Sequence, residues 1–405
     1  MVAMDSTAGP LAGVRVVDFG QYVAGPGAAQ VLADLGADVV KVESPGGDPA
    51  RGIGAYGEAM MRCYNRRKRS IAVDLKNPEG AAVAWRLVAE ADVVVQNMRP
   101  GAMRALGFGP RDVRRLNPGV VYVEISGFGV NGPSRERAAL DIAAQAESGI
   151  MNVTGEAEGD PQRVGFVLVD AAAAANAAQA VLAALFRRER TGEGDHVELS
   201  LLGVAIHLQG TVWSEYEQTG NLPRRKGNGQ PTLAPAADLV RTSDGKIVLS
   251  AYTDKHWRQL CALIDRLDLV DDRRFADNAA RVANREELAG VLGDAFGSYT
   301  SEEAVRLLST GGVVAGAVRD HEEVIQAPDV TEGGHLVAGT VAGECFHTPT
   351  LPFRMASWPV TEAGSPPAVG EHTVGILREL GYSEDAIESL GSSGAVTADA
   401  ISKPR

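Results

Sequence analysis

The chain has 405 residues, 45% hydrophobic and 22% charged, with a net charge of −13. That length exceeds one ordinary hydrophobic core and predicts two domains, while the acidic balance argues against a general nucleic-acid binder. The opening MVAMDSTAGP lacks the basic and apolar regions of a signal peptide, no run is expected to reach a membrane span, and Cys63, Cys261 and Cys345 are too scattered for a disulfide framework or a metal cluster.

In chain order, residues 14–19 read as a buried strand, 28–35 as a helix and 38–43 as the next strand. Strands at 70–73, 93–95 and 120–125 follow, with a helix near 79–91 between the first two. Alternating strands and helices predict an α/β fold with a Rossmann-like, doubly wound sheet of mainly parallel strands. The run 163–169 (RVGFVLV) reads as a further strand leading into the helix 171–185, and 197–202 as a strand or helix entry. Residues 223–235 read as a linker, being rich in Gly, Pro and basic side chains. Beyond it, strands at 246–252 and 313–318 with helices near 255–267, 285–298 and 301–309 predict a smaller α+β domain. A helix around 372–380 follows, and the last dozen residues are expected to fray. The predicted division is 1–225 for a large domain, 226–340 for a small one, and 341–405 for a segment returning to the first.

Asp170 is the residue of greatest interest. It stands between the strand-like run and AAAAANAAQAVLAAL, a strong helix former without a breaker. At such a helix N-terminus a carboxylate is oriented by backbone N–H groups and held ionised by the dipole. Those conditions suit an N-cap, and they also suit a carboxylate nucleophile.

Two other features call for a reading. Arg62, Arg66, Arg67, Lys68, Arg69 and Lys76 lie close together in sequence, as a solvated basic loop or as a site for a phosphorylated ligand. Strand, Gly-rich turn, helix, strand and Glu43 imitate a dinucleotide-binding unit, but Gln30 stands where a small residue is needed for close helix packing, and residues 21–24 lengthen the turn. No NAD site is expected; such a turn can still offer N–H groups to another cofactor's phosphate.

An ordered set of short motifs resembles the family III CoA-transferases, the group that includes formyl-CoA transferase, carnitine CoA-transferase and methylacyl-CoA racemase. The matches are residues 10–18 (PLAGVRVVD), 24–26 (AGP), 35–43 (LGADVVKVE), Asn65 with 68–70, 74–76 (DLK), Asn97 with 99–101, 126–129 (SGFG) with 132–133, 191–194 (TGEG) and 370–373 (GEHT). The resemblance implies that Asp170 is the nucleophile. It also implies an interlocked homodimer and coenzyme A or acyl-CoA as substrate, held by Val23, Ala24, Val73, Lys76, Asn97 and Met98, with Arg104, Arg135 and Arg137 as further CoA-binding candidates. Gly227 and Gly229 are the candidate shielding loop, with a simple linker as the alternative.

The chemistry expected of Asp170 is covalent: attack on an acyl-CoA thioester, an aspartyl anhydride, then an aspartyl-CoA thioester that an acceptor carboxylic acid resolves. N–H groups at the head of the Asp170 helix are expected to help stabilise the oxyanions. The family's second chemistry, racemisation of 2-methylacyl-CoA, uses a His-Asp pair where this chain has Leu140 and Asp141. All seven histidines lie at or beyond position 196, so transfer is preferred over racemisation, and a non-catalytic CoA-binding member is the other alternative. A carboxylic acid larger than oxalate, such as a dicarboxylate, carnitine-like, bile or aromatic acid, is the expected acceptor. The remaining expectations are a cytoplasmic enzyme without metal and without nucleic-acid or membrane partners.

Overall fold

The computed structural model describes residues 9–228, 237–251 and 253–397. They form two compact units. The first takes the described residues up to Ser148, Gly165–Gly210, and those from Asp329 onward; the second takes Gly149–Val164 and Thr211–Pro328.

The first unit is built on seven strands: β1 (Arg15–Asp18), β2 (Asp38–Glu43), β3 (Arg69–Val73), β4 (Val93–Gln96), β5 (Val121–Ser126), β6 (Asp195–Ser200) and a short C-terminal strand, Val396–Thr397. Their order in space is C-terminal strand, β3, β2, β1, β4, β5, β6. All neighbours run parallel except the C-terminal strand, which pairs antiparallel with β3 through Val396↔Val73. The alternation read from the sequence is therefore a doubly wound sheet, buried on both faces by helices, and its interior strands are runs of Val and Ile accordingly. Strand order reverses between β1 and β4, so the crevice beyond their carboxyl ends is where such a sheet holds its ligand.

Three expectations change. Residues expected to fray include the C-terminal strand, which covers the open edge of β3 and buries Val396. The run 163–169 is not a strand: 161–167 is irregular and the helix starts at Leu168. The segment joins no strand ladder, because β6 takes the place beside β5. The helix α1 (Ala24–Asp34) starts four residues earlier than its apolar pattern suggests, so Gly25, Pro26 and Gly27 lie in its first turn rather than in a loop.

Proline is tolerated there because the N–H it lacks would have no helical partner. The glycines answer to packing. A Cβ on Gly27 would lie 2.7 Å from Ala174 Cβ, and one on Gly25 would lie 2.9 Å from Asn97 Oδ1. The long helix Leu168–Thr191 thereby approaches α1 closely, burying Ala173, Ala174, Ala177 and Ala178. It is long and apolar enough to cross a membrane by length and composition, contrary to the expectation that no run would be. In this fold its alanine stripe makes it a core helix against α1, β5 and β6.

The second unit carries a three-stranded antiparallel sheet, β7 (Ala237–Arg241), β8 (Lys246–Ser250) and β9 (Val314–Ala317). Helices Asp254–Leu263, Arg285–Phe296 and Ser301–Thr310 pack around Trp257, Phe275 and Phe296. This is a small α+β unit, but its bounds differ from the 226–340 read from the sequence: it includes Gly149–Val164, resumes at Thr211 and ends at Pro328. In the first unit, β10 (Leu336–Val341) and β11 (Glu344–Pro349) form a hairpin.

Candidate active site

The turn after β1 is held by buried charge. Lys68 Nζ donates to Asp18 Oδ2 (2.7 Å) and to Pro26 O (2.8 Å), while Asp18 Oδ1 accepts from Gly20 N. Lys41 Nζ donates to Asp48 Oδ2 (2.8 Å) and Gly20 O (2.9 Å). Burial lowers Lys68 to about 8 despite the opposing pull of Asp18. These pairs dissolve the basic cluster read from the sequence. Arg66 is buried against Asp34, Arg69 pairs with Asp38 and Glu379, and Lys68 is enclosed, so their charges are matched by carboxylates rather than free for phosphates. Arg67 and Lys76 are the exceptions: Arg67 is exposed and donates to the Glu362 carbonyl, and Lys76 is exposed after β3.

Beyond the strand ends lies a cavity of about 600 Å³. It is lined by residues 21–24, 97–100 and 125–127, by 137–140 with Ile142 and Ala143, and by Asp170 and Leu201. A smaller cavity of about 170 Å³, reaching Val73, Lys76 and Ser44, shares Gln21 and Met98 with it. Asn97 fixes the wall between the strands: its Oδ1 accepts from Gln21 N (2.8 Å) and its Nδ2 donates to Gln21 O (2.9 Å). Next to Gln21, Tyr22 adopts a left-handed backbone (φ 62°), an uncommon conformation for a tyrosine.

The expected ligand residues divide accordingly. Val23, Ala24, Asn97, Met98 and Arg137 line the larger cavity; Val73, Lys76 and Met98 line the smaller. Arg104 and Arg135 line neither, and Arg135 pairs with Glu136. Arg137 stacks over Phe128 and pairs with Glu147 (2.6 Å). Gly227, in the second unit, donates its N–H to Gly155 O (3.0 Å) with φ 60°; Gly229 lies outside the described residues.

Asp170 is the third residue of its helix, not its N-cap, which is Val167. Capping comes instead from Asp141, 29 residues upstream and first in the short helix Asp141–Glu147. Its Oδ1 accepts from Val169 N (2.7 Å) and Asp170 N (3.1 Å). Leu168 N and Ala171 N donate to Phe166 O and Val167 O. The helix head therefore has no free N–H for an oxyanion, contrary to expectation. Burial first, and Asp141's charge second, push the Asp170 carboxyl up to about 7, overriding the dipole expected to hold it ionised. Sequence reading missed Asp141 in this role, because its only signal was a motif position beside Leu140.

Glu124, His196 and Glu198 bring ligand atoms within 4.8 Å of one another on β5 and β6, apart from the cavity lining. His372 accepts from Ser70 N (3.2 Å), and Gly370 N donates to Ser70 Oγ, so the GEHT motif fastens the C-terminal segment to β3.

Fold and cavity together define a doubly wound α/β enzyme with an acidic side chain facing its ligand crevice. The model for CoA-transferase family III matches residues 11–373, and the chain belongs to that family. It is 40% identical to the probable fatty acyl-CoA transferase Rv3272 of Mycobacterium tuberculosis, over 91% of this chain and 97% of that one. Identity is 35% to the succinate–glutarate CoA-transferase of Agrobacterium fabrum (94% and 98% covered) and 33% to the human succinyl-CoA:glutarate CoA-transferase (96% and 90%). A crystal structure of a CAIB/BAIF family protein from Brucella suis superposes with a TM-score of 0.83 at 34% identity, covering 92% of this chain and all of that one. The protein is thus a CoA-transferase.

Proposed function

We propose that the enzyme transfers CoA between carboxylic acids through covalent intermediates on Asp170. The observation that carries this reading is that Asp170 is the sole acidic side chain among the described residues lining the 600 Å³ cavity. Its carboxylate attacks the thioester carbonyl; the C–S bond breaks, CoA thiolate leaves, and an aspartyl anhydride remains. The thiolate then attacks the Asp170 carbonyl, releasing the donor acid and leaving an aspartyl-CoA thioester. An acceptor carboxylate reverses the sequence and frees Asp170. The smaller cavity, with Lys76 at its edge, suits the nucleotide end of CoA, and the shared Gln21 and Met98 suit the passage toward Asp170.

Short dicarboxylic acids are the proposed exchange partners. Arg99 and Arg137 line the cavity that holds Asp170, and relatives matched over more than nine-tenths of this chain bear succinyl, glutarate and mesaconate names. A fatty acyl group is the second reading, favoured by Leu140 and Ile142 in the same wall and by the name of the relative from M. tuberculosis. Racemisation is disfavoured, since no histidine is among the described residues lining the cavity. We further propose a cytoplasmic homodimer. Free Cys63, Cys261 and Cys345 suit a reducing compartment, and exposed Phe186 and Leu182 on the long helix suit burial by a second copy.

The test is turnover with succinyl-CoA and glutarate, beside a panel of fatty acyl-CoAs, for native enzyme and Asp170→Ala. Glutaryl-CoA formed by the native enzyme and not by the variant is expected. Full activity in the variant would overturn the role of Asp170, and solvent deuterium at the α-carbon of 2-methylacyl-CoA would favour racemisation.

A further inference from the structure

Asp141 is a buried carboxylate, 4% exposed, with no cation paired to it in the described structure. Its partners are three N–H groups: Val169 N and Asp170 N on Oδ1, and Gln145 Nε2 on Oδ2. Gln145, one turn on in the same helix, is fully buried. A side chain on a neighbouring helix thus does what Val167, with no side-chain oxygen, cannot do as N-cap. The arrangement also sets a second negative charge against the group that must attack.

We propose that Asp141 is a positioning residue for Asp170, one that anchors its backbone and favours the acylated enzyme over the free carboxylate. The inference rests on Asp170 being the nucleophile. While Asp170 is ionised, two like charges face one another in a site partly removed from water. Acylation removes the charge: anhydride and thioester are both neutral at Asp170. The repulsion is therefore present in the free enzyme and gone in each covalent intermediate, which shifts their equilibrium forward. The groups facing Asp170 fit this account. Tyr64, at the end of the helix Ala55–Tyr64, is raised chiefly by burial and in smaller part by Asp170's charge. Tyr22, Tyr64 and Val167 pack against Val23, Ala50 and Met60, and Arg99 and Arg137 line the cavity. Asp141 is the anion among them.

The deciding variant is Asp141→Asn, which keeps an oxygen for Val169 N and Asp170 N and removes the charge; Gln145 can turn its amide to accept from the new NH2. Native enzyme and variant are equilibrated with succinyl-CoA and succinate at several ratios, and the fraction of protein carrying CoA is read by intact mass. The equilibrium constant for aspartyl-CoA formation is expected to fall several-fold above pH 7, with the acidic limb of kcat/KM moving to lower pH. A residue acting only through stability would move neither. An unchanged constant and an unchanged limb overturn the proposal. Absence of any adduct on the native enzyme with every donor would instead mean that the reading of Asp170 itself has failed. Asp141→Ala, which removes the anchor as well, is expected to lower kcat by more than Asp141→Asn; equal kcat in the two variants would contradict the anchoring role.

Discussion

Replacing Asp170 with asparagine is expected to make the protein more stable above neutral pH. In the fold the carboxyl titrates at about 7, raised from 3.8 by burial and by Asp141. An unfolded chain loses that proton near pH 4, the folded one near pH 7. Between those values the unfolded state binds fewer protons, so native stability falls as pH rises, and the loss is complete above about 7. The gap is worth at most about 4 kcal/mol at about 1.4 kcal/mol per pH unit. Water in the open cavity screens part of it, leaving about 2–4 kcal/mol. Asparagine does not titrate and escapes the loss. For a unit of this size each kcal/mol moves the midpoint by about 2–4 °C, so Asp170→Asn should melt at least about 4 °C above the native protein at pH 8. At pH 4.5 most of that advantage should be gone. Thermal unfolding followed by circular dichroism across this range is the assay. A difference between the two proteins that is the same at both pH values would refute the electrostatic account of the site.

Three further substitutions test how the crevice is built. Lys68→Ala leaves Asp18 buried without its cation and should cost about 3–5 kcal/mol in denaturant unfolding. Gly27→Ala brings a methyl group to 2.7 Å from Ala174 Cβ and should cost about 1–3 kcal/mol, with Ala174→Gly restoring most of it in a double-mutant cycle. Asn97→Ala removes both hydrogen bonds to Gln21, about 1–3 kcal/mol of local order, and should raise KM for acyl-CoA several-fold with a smaller effect on kcat; a change confined to kcat would place Asn97 in the chemistry instead.

What could be read from the sequence was whatever local periodicity and turn chemistry dictate. Runs of Val and Ile between helices gave β1 to β5 and the parallel sheet, since buried parallel strands need continuous apolar residues. Asp170 stood out because an alanine-rich helix follows it at once. What failed was information held between distant residues. The run 163–169 has the composition of a strand, yet pairing with β5 is taken by β6. The basic residues near position 66 looked free because their carboxylates, Asp18, Asp34 and Asp38, lie 31 to 50 positions away. The cap of the Asp170 helix was invisible for the same reason: Asp141 is remote in sequence, and the N-cap position itself holds valine. The glycines of α1 were read as turn residues, whereas Gly27 lets two helices touch and Gly25 leaves room for Asn97.

A bond between Asp170 and CoA is tested most directly by the mass of the intact protein after brief exposure to succinyl-CoA, followed by peptide mapping. One CoA added with loss of one water is expected, located on the peptide containing Asp170, released by hydroxylamine and absent from Asp170→Ala. A catalytically active enzyme that accumulates no adduct under any donor, or one labelled at another residue, would contradict it.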